Sequence, residues 1–313
     1  MSATRRGDHG AALAALDAKI NALLPPRYQH CYSDVPPVSM GSAGLIYGPD
    51  GKVAWDRIWT SFCDLALAGG PPHRGKFLGP PPAAEVAADP DRHRAAVAEI
   101  DRAIGLTSGY VVEDGYAPGW VGIRCRDLAE AAWLQLAVNA ENVAARRRGT
   151  ILQLPAGPAF RPEKEIKNVV VALAKASHYW EDHLSSDQQS LASAEDLEPA
   201  TSDEASSAPD TYRAALAALE SAVRAAGLPL SPHPHVGWIG AQTADEEEAV
   251  WLLRAILVER IPVRREESHL FLPVGATWSP EQAAEVGHAF RRAWDLRRAA
   301  FPHRPAWRPS GRA

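Results

Sequence analysis

One stretch of the chain occurs twice, and this repetition constrains the fold more than any other feature of the sequence. Segment 119–163 matches segment 237–281 without a gap, at a constant separation of 118 residues. The matched pairs include Gly119 with Gly237, Trp120 with Trp238, Asp127 with Asp245, Trp133 with Trp251, Glu141 with Glu259, Arg146-Arg147 with Arg264-Arg265, and Pro155 with Pro273. A fixed period of this kind indicates an internal duplication.

A third, more diverged match lies upstream at a separation of 74 residues. The matched pairs are Gly48 with Gly122, Trp59 with Trp133, Arg74 with Arg148, and Leu78 with Leu152. Each copy is preceded by a segment with apolar residues at positions i, i+3 and i+7, namely 13–20, 97–104 and 216–223. This spacing places the apolar residues on one face of a helix. The unit is therefore predicted to be helix–strand–helix–strand, repeated three times. Its strands include 43–47 in the first copy and 120–124 in the second, and the helix of the second copy is expected over 127–143.

The joints between strand, helix and strand are short in each copy. The two strands of a copy are therefore most simply parallel, with a right-handed crossover through the helix. The predicted fold class is α/β, with α+β as the alternative. Three tandem helix–strand–helix–strand repeats would form about six strands covered by helices. The tryptophans Trp59, Trp133 and Trp251 are expected to be buried core residues.

Segment 184–210 separates the second copy from the third. It is acidic and rich in Ser and Ala, and it contains no lysine or arginine. Because it has few large apolar side chains, it is expected to be a flexible linker. The predicted organisation is repeats one and two in 1–183, this linker, repeat three in 211–301, and a Pro/Arg-rich tail in 302–313.

Composition excludes several classes of protein. The chain is 46% hydrophobic and 23% charged, and its net charge of −5 does not favour nucleic acid as a partner. No apolar run approaches the roughly 20 residues that span a membrane, and no secretory signal is evident. The three cysteines have no CxxC spacing, so reduced thiols in a cytoplasm are expected rather than disulfides.

The first candidate site is the loop that follows segment 53–68, which is expected to be helical. Gly69-Gly70 permits close backbone approach, and Pro71-Pro72 stiffens the loop that presents His73 and Arg74. An imidazole that titrates near neutral pH suits acid–base work, and a guanidinium beside it suits an anionic substrate. The structural alternative is that the loop is only a helix stop and a turn.

The second candidate is a basic cluster that recurs between the helix and the second strand of the repeat. Its members are Arg146 and Arg147 in the second copy and Arg264 and Arg265 in the third. Together such clusters would bind a carboxylate- or phosphate-bearing substrate. The alternative is electrostatic, because cations at a helix C-terminus stabilise the helix dipole by about 0.3–1 kcal/mol each.

The third candidate is the helix expected over 162–183. Lys164 and Lys167 are predicted to bind substrate, and His178 joins His73 as a predicted catalytic residue; a solvated basic face is the alternative. His178 and His183 are five residues apart, which is not the i, i+4 pair of a helical metal site, and no HExxH motif is present. We therefore expect no metal. No dinucleotide, nucleoside-triphosphate or serine-hydrolase motif is present, so no cofactor is assigned.

Two functions remain open from the sequence. The first is a cytoplasmic enzyme of small-molecule metabolism that acts on an anionic substrate. The second is a non-catalytic repeat scaffold that binds a protein partner. A concave pocket where the polar residues converge would favour the enzyme, and an exposed apolar patch would favour the scaffold.

Overall fold

The structure is a computed structural model that describes residues 3–29, 44–57, 65–113 and 116–302. The chain divides into two compact units. We call residues 36–194 the middle unit, and residues 1–35 together with 195–313 the split unit. Across the described residues, no helix has the length and apolar character needed to cross a membrane.

The described residues form a mixed set of helices and short strands. In chain order the helices and strands are α1 (Ala3–Leu23), α2 (Ala83–Ala88), α3 (Pro90–Thr107), β1 (Val112–Glu113), β2 (Trp120–Arg124), α4 (Leu128–Ala140), β3 (Arg146–Arg148), β4 (Ile151–Pro155), α5 (Lys167–Asp182), α6 (Ser186–Leu191), α7 (Ser202–Ser207), α8 (Pro209–Ala225), β5 (Trp238–Gln242), α9 (Glu246–Leu257), β6 (Arg264–Glu266), β7 (His269–Pro273) and α10 (Pro280–Ala300). A π-helical turn, Pro162–Ile166, leads directly into α5.

The middle unit contains a four-stranded antiparallel sheet in the order β1-β2-β4-β3. Helix α4 is buried along nearly its whole length, which agrees with its near-continuous apolar sequence. Its N-cap is Asp127, whose side chain accepts a hydrogen bond from the backbone N–H of Glu130. Trp133 is buried and donates from its indole N–H to the carbonyl of Ala176 in α5. The sheet, α4 and α5 thus form the core that supports the site described below.

The split unit contains a three-stranded antiparallel sheet in the order β5-β7-β6. Its pairing repeats that of the middle unit 118 residues later. Trp120 lies opposite Pro155 in the first sheet, and Trp238 lies opposite Pro273 in the second. Trp251 in α9 is buried, as Trp133 is in α4. The expected core role of these two tryptophans is therefore confirmed, while Trp59 lies outside the described residues.

The prediction of parallel strands is wrong. Strands β2 and β4 are antiparallel, and so are β5 and β7. The reason is an additional strand after each helix, β3 or β6, which forms a tight hairpin with the strand that follows. The first hairpin turns at Gly149, whose φ of 60° suits a two-residue turn. Between the helix and the last strand of each sheet, the chain therefore reverses its direction once more than the sequence predicted.

The segment expected to be the first copy also differs from the prediction. In place of a strand over 43–47 and a helix over 53–68, the described residues contain an isolated bridge between Tyr47 and Val53 and two 3₁₀ turns, Trp55–Arg57 and Ala66–Ala68. Leu78 forms one parallel bridge with Val143. The segment is tied to α3, where Glu99 accepts from the Trp55 indole N–H and Arg102 donates to the carbonyl of Val53.

The acidic segment 184–210 contains more secondary structure than expected. Helices α6 and α7 each begin with a complete capping box, at Ser185 and Thr201. Leu197 and Ala200 are buried, and the backbone N–H of Ala200 donates to the carbonyl of Val274. The boundary between the two compact units falls inside this segment, between residues 194 and 195. Its flexibility stays a prediction.

Candidate functional site

The loop of the first candidate site is a compact, partly buried structure in the middle unit. Residues 65–70 are buried, and a 3₁₀ turn over Ala66–Ala68 ends at Gly69. Gly69 has a φ of 101°, in the left-handed region that glycine adopts without a steric cost. The two glycines therefore act as the sequence indicated. They allow a sharp reversal, after which the chain reaches His73.

A single buried carboxylate holds both ends of this loop. Glu141 follows the last turn of α4, and its side chain is fully buried. One carboxylate oxygen accepts from the backbone N–H of Ala66 at 2.9 Å, and the other accepts from the backbone N–H of His73 at 2.7 Å. The Lys175 ammonium from α5 lies 2.8 Å from the first oxygen and is also buried. Charge-assisted bonds of this kind are the strong ones, so the loop position is fixed by Glu141.

The imidazole of His73 lies at the start of α5. It is half-buried, forms a side-chain hydrogen bond with Asn168, and lies within electrostatic range of Lys167, Lys175 and Glu141. Burial lowers the pKa of His73 to about 4, against the opposing charge of Glu141 and with the help of both lysines. The ring is therefore neutral at physiological pH.

Arg74 and Lys167 add cationic groups beside this histidine. The Nε of Arg74 is buried and has no hydrogen-bond partner within the described ranges. Asn142 donates from its side-chain amide to the Arg74 carbonyl at 2.9 Å, which fixes the backbone of the loop. Lys167 is half-buried, and burial lowers its pKa. Lys164 is exposed in the π-helical turn that precedes α5.

Arg146 and Arg147 lie in strand β3, and both contact protein groups. The guanidinium carbon of Arg146 lies 4.1 Å from the ring centroid of Trp120, and its Nε donates to Gln153 at 2.7 Å. Arg147 donates from Nε to the Gln135 side chain at 3.1 Å and from Nη2 to a backbone carbonyl at 2.8 Å. Neither lies at a helix C-terminus, so the macrodipole alternative does not describe them. Arg146 instead stacks on an aromatic ring, and both arginines form side-chain hydrogen bonds within the unit.

Arg264 and Arg265 lie at the matching positions of strand β6, in the split unit. The guanidinium carbon of Arg264 lies 4.0 Å from the ring centroid of Phe271, and its Nη1 donates to Glu266 at 2.7 Å. Glu266 also lies 2.9 Å from the Nε2 of His235. Arg265 donates to Glu246 at 2.7 Å. All four arginines thus have partners inside their own unit.

His178 is not brought together with His73. It lies ten residues beyond Asn168 on α5, which is about 15 Å along the helix axis. Its Nδ1 lies 2.8 Å from Asp182, and its Nε2 lies 3.1 Å from the Nε2 of His183. The structure therefore places the two predicted catalytic histidines apart: His73 lies in a loop beside the first turn of α5, and His178 lies near the C-terminal end of that helix.

Three residues of the His73 environment were not proposed from the sequence as site residues. The sequence marks Glu141 only as a matched position of the repeat, and Lys175 and Asn168 only as polar residues within the helix expected over 162–183. Lys175 and Asn168 are seven residues apart, which places them on one face of α5. That spacing was available in the sequence. The burial of Glu141 was not, because a charged residue at a helix end is usually exposed.

Comparison with known proteins adds little to this geometry. No protein-family model and no curated protein matches the chain. Three solved structures described as SPT with PLP, two of them single-substitution variants and one the PLP internal aldimine, show a distant similarity. They are 14–15% identical over 48% of this chain, with a TM-score of 0.26. The chain matches 37% of the length of those chains. A TM-score at this level does not indicate a shared fold.

Proposed function

We propose that the protein is an enzyme of small-molecule metabolism whose anionic substrate binds beside His73 in the middle unit. The substrate would carry a carboxylate or a phosphate. The observation that supports this is a half-buried, neutral imidazole that has two lysines and one carboxylate within electrostatic range. A reducing, cytoplasmic compartment is proposed with it, on the pattern of cysteine use.

The charge balance around His73 supports an anionic ligand. Two lysines, Lys167 and Lys175, and one carboxylate, Glu141, act on the ring electrostatically among the described residues. Glu141 is already bonded to Lys175 and to two backbone N–H groups. Lys167 brings a second ammonium group within electrostatic range of the ring, and the buried Arg74 Nε is a further donor with no hydrogen-bond partner within the described ranges. An anion would neutralise this charge and accept those hydrogen bonds.

The state of His73 favours one chemical role. An imidazole with a pKa of about 4 carries no extra proton at neutral pH, so it is available as a base or a hydrogen-bond acceptor. The acid role that the sequence left open is not favoured. An anion bound within a few ångströms would favour the imidazolium and raise the pKa of His73. Binding in mildly acidic solution would therefore be accompanied by proton uptake at this residue.

Screening for ligands tests the proposal directly. A panel of carboxylates and phosphorylated metabolites is screened by thermal shift, and each hit is titrated calorimetrically at pH 5.5 in two buffers of different ionisation enthalpy. We expect binding with proton uptake, lost in His73→Ala and weakened at least about ten-fold in Lys167→Met. The matched control is His233→Ala, which removes an exposed histidine of the split unit. Equal weakening in both histidine variants, or a panel without a hit, contradicts the proposal.

The scaffold alternative has no comparable support. Among the described residues, the exposed large apolar side chains are Tyr47, Leu106, Val111, Leu128, Leu191 and Val236. Five of these residues lie in the middle unit and Val236 lies in the split unit, and single exposed apolar side chains are normal on protein surfaces. We retain the enzyme as the proposed function.

We also propose that the two sheets are copies of one ancestral unit. The support is the identical offset of every matched pairing, from Trp120 and Trp238 at one end of the sheet to Arg148 and Glu266 at the other. The isolated bridge of Leu230 with Ala241 continues the same offset from the pair Val112 and Ile123. The repeat is proposed for two copies only, since the described part of 44–78 lacks the expected elements.

A further inference from the structure

The C-terminal end of α5 holds a cluster of polar side chains that the proposed function does not use. His178, Asp182 and His183 lie there together, next to Tyr179. The Nε2 atoms of the two histidines are 3.1 Å apart, and their rings are nearly perpendicular. The side chain of His178 is 27% exposed, so the cluster is accessible from solvent.

The bond to Asp182 determines which nitrogen of His178 carries a proton. A carboxylate only accepts hydrogen bonds, and Asp182 lies 2.8 Å from the Nδ1 of His178. Nδ1 therefore carries the hydrogen, and in the neutral ring Nε2 has a lone pair directed at His183. Around metal ions in proteins, a histidine commonly donates from one ring nitrogen to a carboxylate and coordinates the metal through the other.

The separation of the two nitrogens also matches metal coordination. With metal–nitrogen bonds of about 2.0–2.1 Å, two ligands 3.1 Å apart subtend an angle of roughly 100° at the metal. That angle lies close to the values of tetrahedral and octahedral sites. Among the described residues no group of three or more His, Cys, Asp or Glu side chains is arranged to hold a metal. The protein would therefore supply two ligands, and water or a bound molecule would supply the others.

The surrounding charges favour a cation. Glu181 lies within electrostatic range of Glu130, of Asp182 and of His178. Arg126 also lies within electrostatic range of Glu181, but its Nε lies 3.6 Å from another carboxylate, that of Asp127. A divalent cation at the two histidines would reduce the repulsion among these acidic groups.

We propose that His178 and His183 bind one divalent transition-metal cation that favours imidazole ligands, such as Zn²⁺, through their Nε2 atoms, with Asp182 orienting His178. In the metal-free protein, His183 donates from Nε2 to the Nε2 of His178. On binding, that proton moves to the Nδ1 of His183, and two metal–nitrogen bonds replace one hydrogen bond. This site is separate from the anion site proposed at His73, and it does not depend on that proposal.

Metal titration of the full chain tests the site. Chelator-treated protein is titrated calorimetrically with ZnCl₂, and Co²⁺ is used in parallel to follow coordination by absorption. We expect one equivalent to bind the intact protein, and His178→Ala and His183→Ala each to lower the affinity by at least about ten-fold. Asp182→Asn should lower the affinity about 10–100-fold, as expected for a residue that orients a ligand. Circular dichroism of each variant checks that it is folded.

The chain offers a matched control for this experiment. His233 and His269 of the split unit also form an edge-to-face ring pair, at 5.3 Å between centroids, and no ion pair with a carboxylate is found for either ring among the described residues. His233→Ala should leave zinc affinity unchanged. The proposal is overturned if no zinc binds, if His178→Ala and His183→Ala bind like the unmodified protein, or if His233→Ala weakens binding equally. An unchanged zinc affinity in Asp182→Asn would show that the Asp182 carboxylate does not orient His178 for metal binding.

Discussion

The residues Glu141 and Glu259, which are matched at the offset of 118, have very different surroundings in the two units. In the middle unit Glu141 is fully buried and bonded to Lys175 and to two backbone N–H groups. In the split unit the Glu259 side chain is 32% exposed and forms surface ion pairs with Lys19 and Arg292. The same carboxylate at the same point of the same sheet-and-helix frame is thus a buried anchor in one unit and a surface partner in the other.

The neighbours of each carboxylate explain the difference. The position that matches Lys175 in the split unit is Ala293, which is buried and provides no charge. Without a cation at that position, a carboxylate at Glu259 is expected to remain near solvent, because an unpaired buried charge is strongly unfavourable. In the middle unit the lysine on α5 and the loop at Ala66–Ala68 arrive together at Glu141. The loop and the lysine thus depend on the same buried carboxylate.

The largest expected effect follows from this contrast. Glu141→Ala leaves the Lys175 ammonium buried without its partner, and removal of one member of a buried pair costs about 3–5 kcal/mol. Glu259→Ala removes only exposed ion pairs and should cost about 0–1 kcal/mol. The measurement is the free energy of unfolding of each variant in urea, with hydrogen exchange of β4 and β7 used to assign the loss to a unit.

A double variant separates the charge from the loop contacts. The combination of Glu141→Gln with Lys175→Met removes both buried charges, while the amide oxygen introduced at position 141 can still accept from a backbone N–H. This variant should recover a large part of the stability that Glu141→Ala loses. Equal costs for Glu141→Ala and Glu259→Ala would mean that the burial of Glu141 has no energetic consequence.

The second comparison concerns acid sensitivity, and Glu266 of the split unit has the larger expected effect. Burial acts to raise the pKa of Glu266, but hydrogen bonds and charge from His235 and Arg264 outweigh it and lower the pKa from 4.5 to about 2. The unfolded state then takes up the proton more readily than the folded state. The stability from this group is therefore present above pH 4.5 and is lost as the pH falls through about 2.

At 1.36 kcal/mol per pKa unit, the contribution of Glu266 to the free energy of unfolding that is lost on acidification amounts to about 3 kcal/mol. Denaturant unfolding of the unmodified protein and of Glu266→Gln between about pH 2 and pH 6 measures it, because the difference between the two curves isolates this carboxylate. We expect the variant to be less stable than the unmodified protein at the upper end of this pH range. The difference in unfolding free energy between the two proteins should then decrease progressively below pH 4.5. A gap that stays constant with pH contradicts the role of Glu266 as a charged partner.

His73 should produce a smaller loss in a higher pH range. Its pKa in the folded middle unit is about 4, below its ordinary value of 6.5, so the folded state resists protonation. The stability from the neutral ring is complete above pH 6.5 and is lost as the pH falls through about 4. Because the ring is half-exposed, we expect about 1–2 kcal/mol, less than complete burial would give.

Comparison with His73→Gln from about pH 7 to pH 4 measures this contribution. The variant has no group at this position that titrates there, so its stability should fall less than that of the unmodified protein. Together with the Glu266 result, acidification should weaken the middle unit before the split unit. The reverse order, observed by hydrogen exchange in each unit, would contradict the assignment of these two pH ranges.

Much of the secondary structure around the two sheets was predictable from the sequence, because it depends on local patterns. Strand β2 was predicted at its observed position, and α4 lies within the helix expected over 127–143. Strands β3 and β6 were missed because Arg146 and Arg264 were interpreted as basic clusters, and charged residues are uncommon in strands. Their aromatic partners, Trp120 and Phe271, come from other strands, so the stacking that stabilises them is not visible in a local window.

The candidate site was predictable only in part, for a similar reason. His73 and Lys167 were both proposed, since a glycine–proline loop and a lysine-bearing helix are local features. The bond between Glu141 and Lys175 joins residues 34 positions apart in sequence and depends on how α5 is rotated against α4. Both residues are of types that are usually exposed. The structure was needed to show that they are buried and that they hold the loop.

The smallest expected effect is one that should be equal in the two units. Asp127 and Asp245 are the matched N-caps of α4 and α9, and they accept from the backbone N–H of Glu130 at 2.9 Å and of Glu248 at 2.8 Å. Substitution of an N-cap by alanine costs about 1 kcal/mol, so Asp127→Ala and Asp245→Ala should each lower the stability of their own unit by that amount. Hydrogen exchange of α4 and α9 measures the two losses separately. If the two losses of stability differ by more than about 1 kcal/mol, the sheet and capped helix of one unit are not equivalent to those of the other. The contrast between Glu141 and Glu259 could then not be attributed to Lys175 and the loop alone.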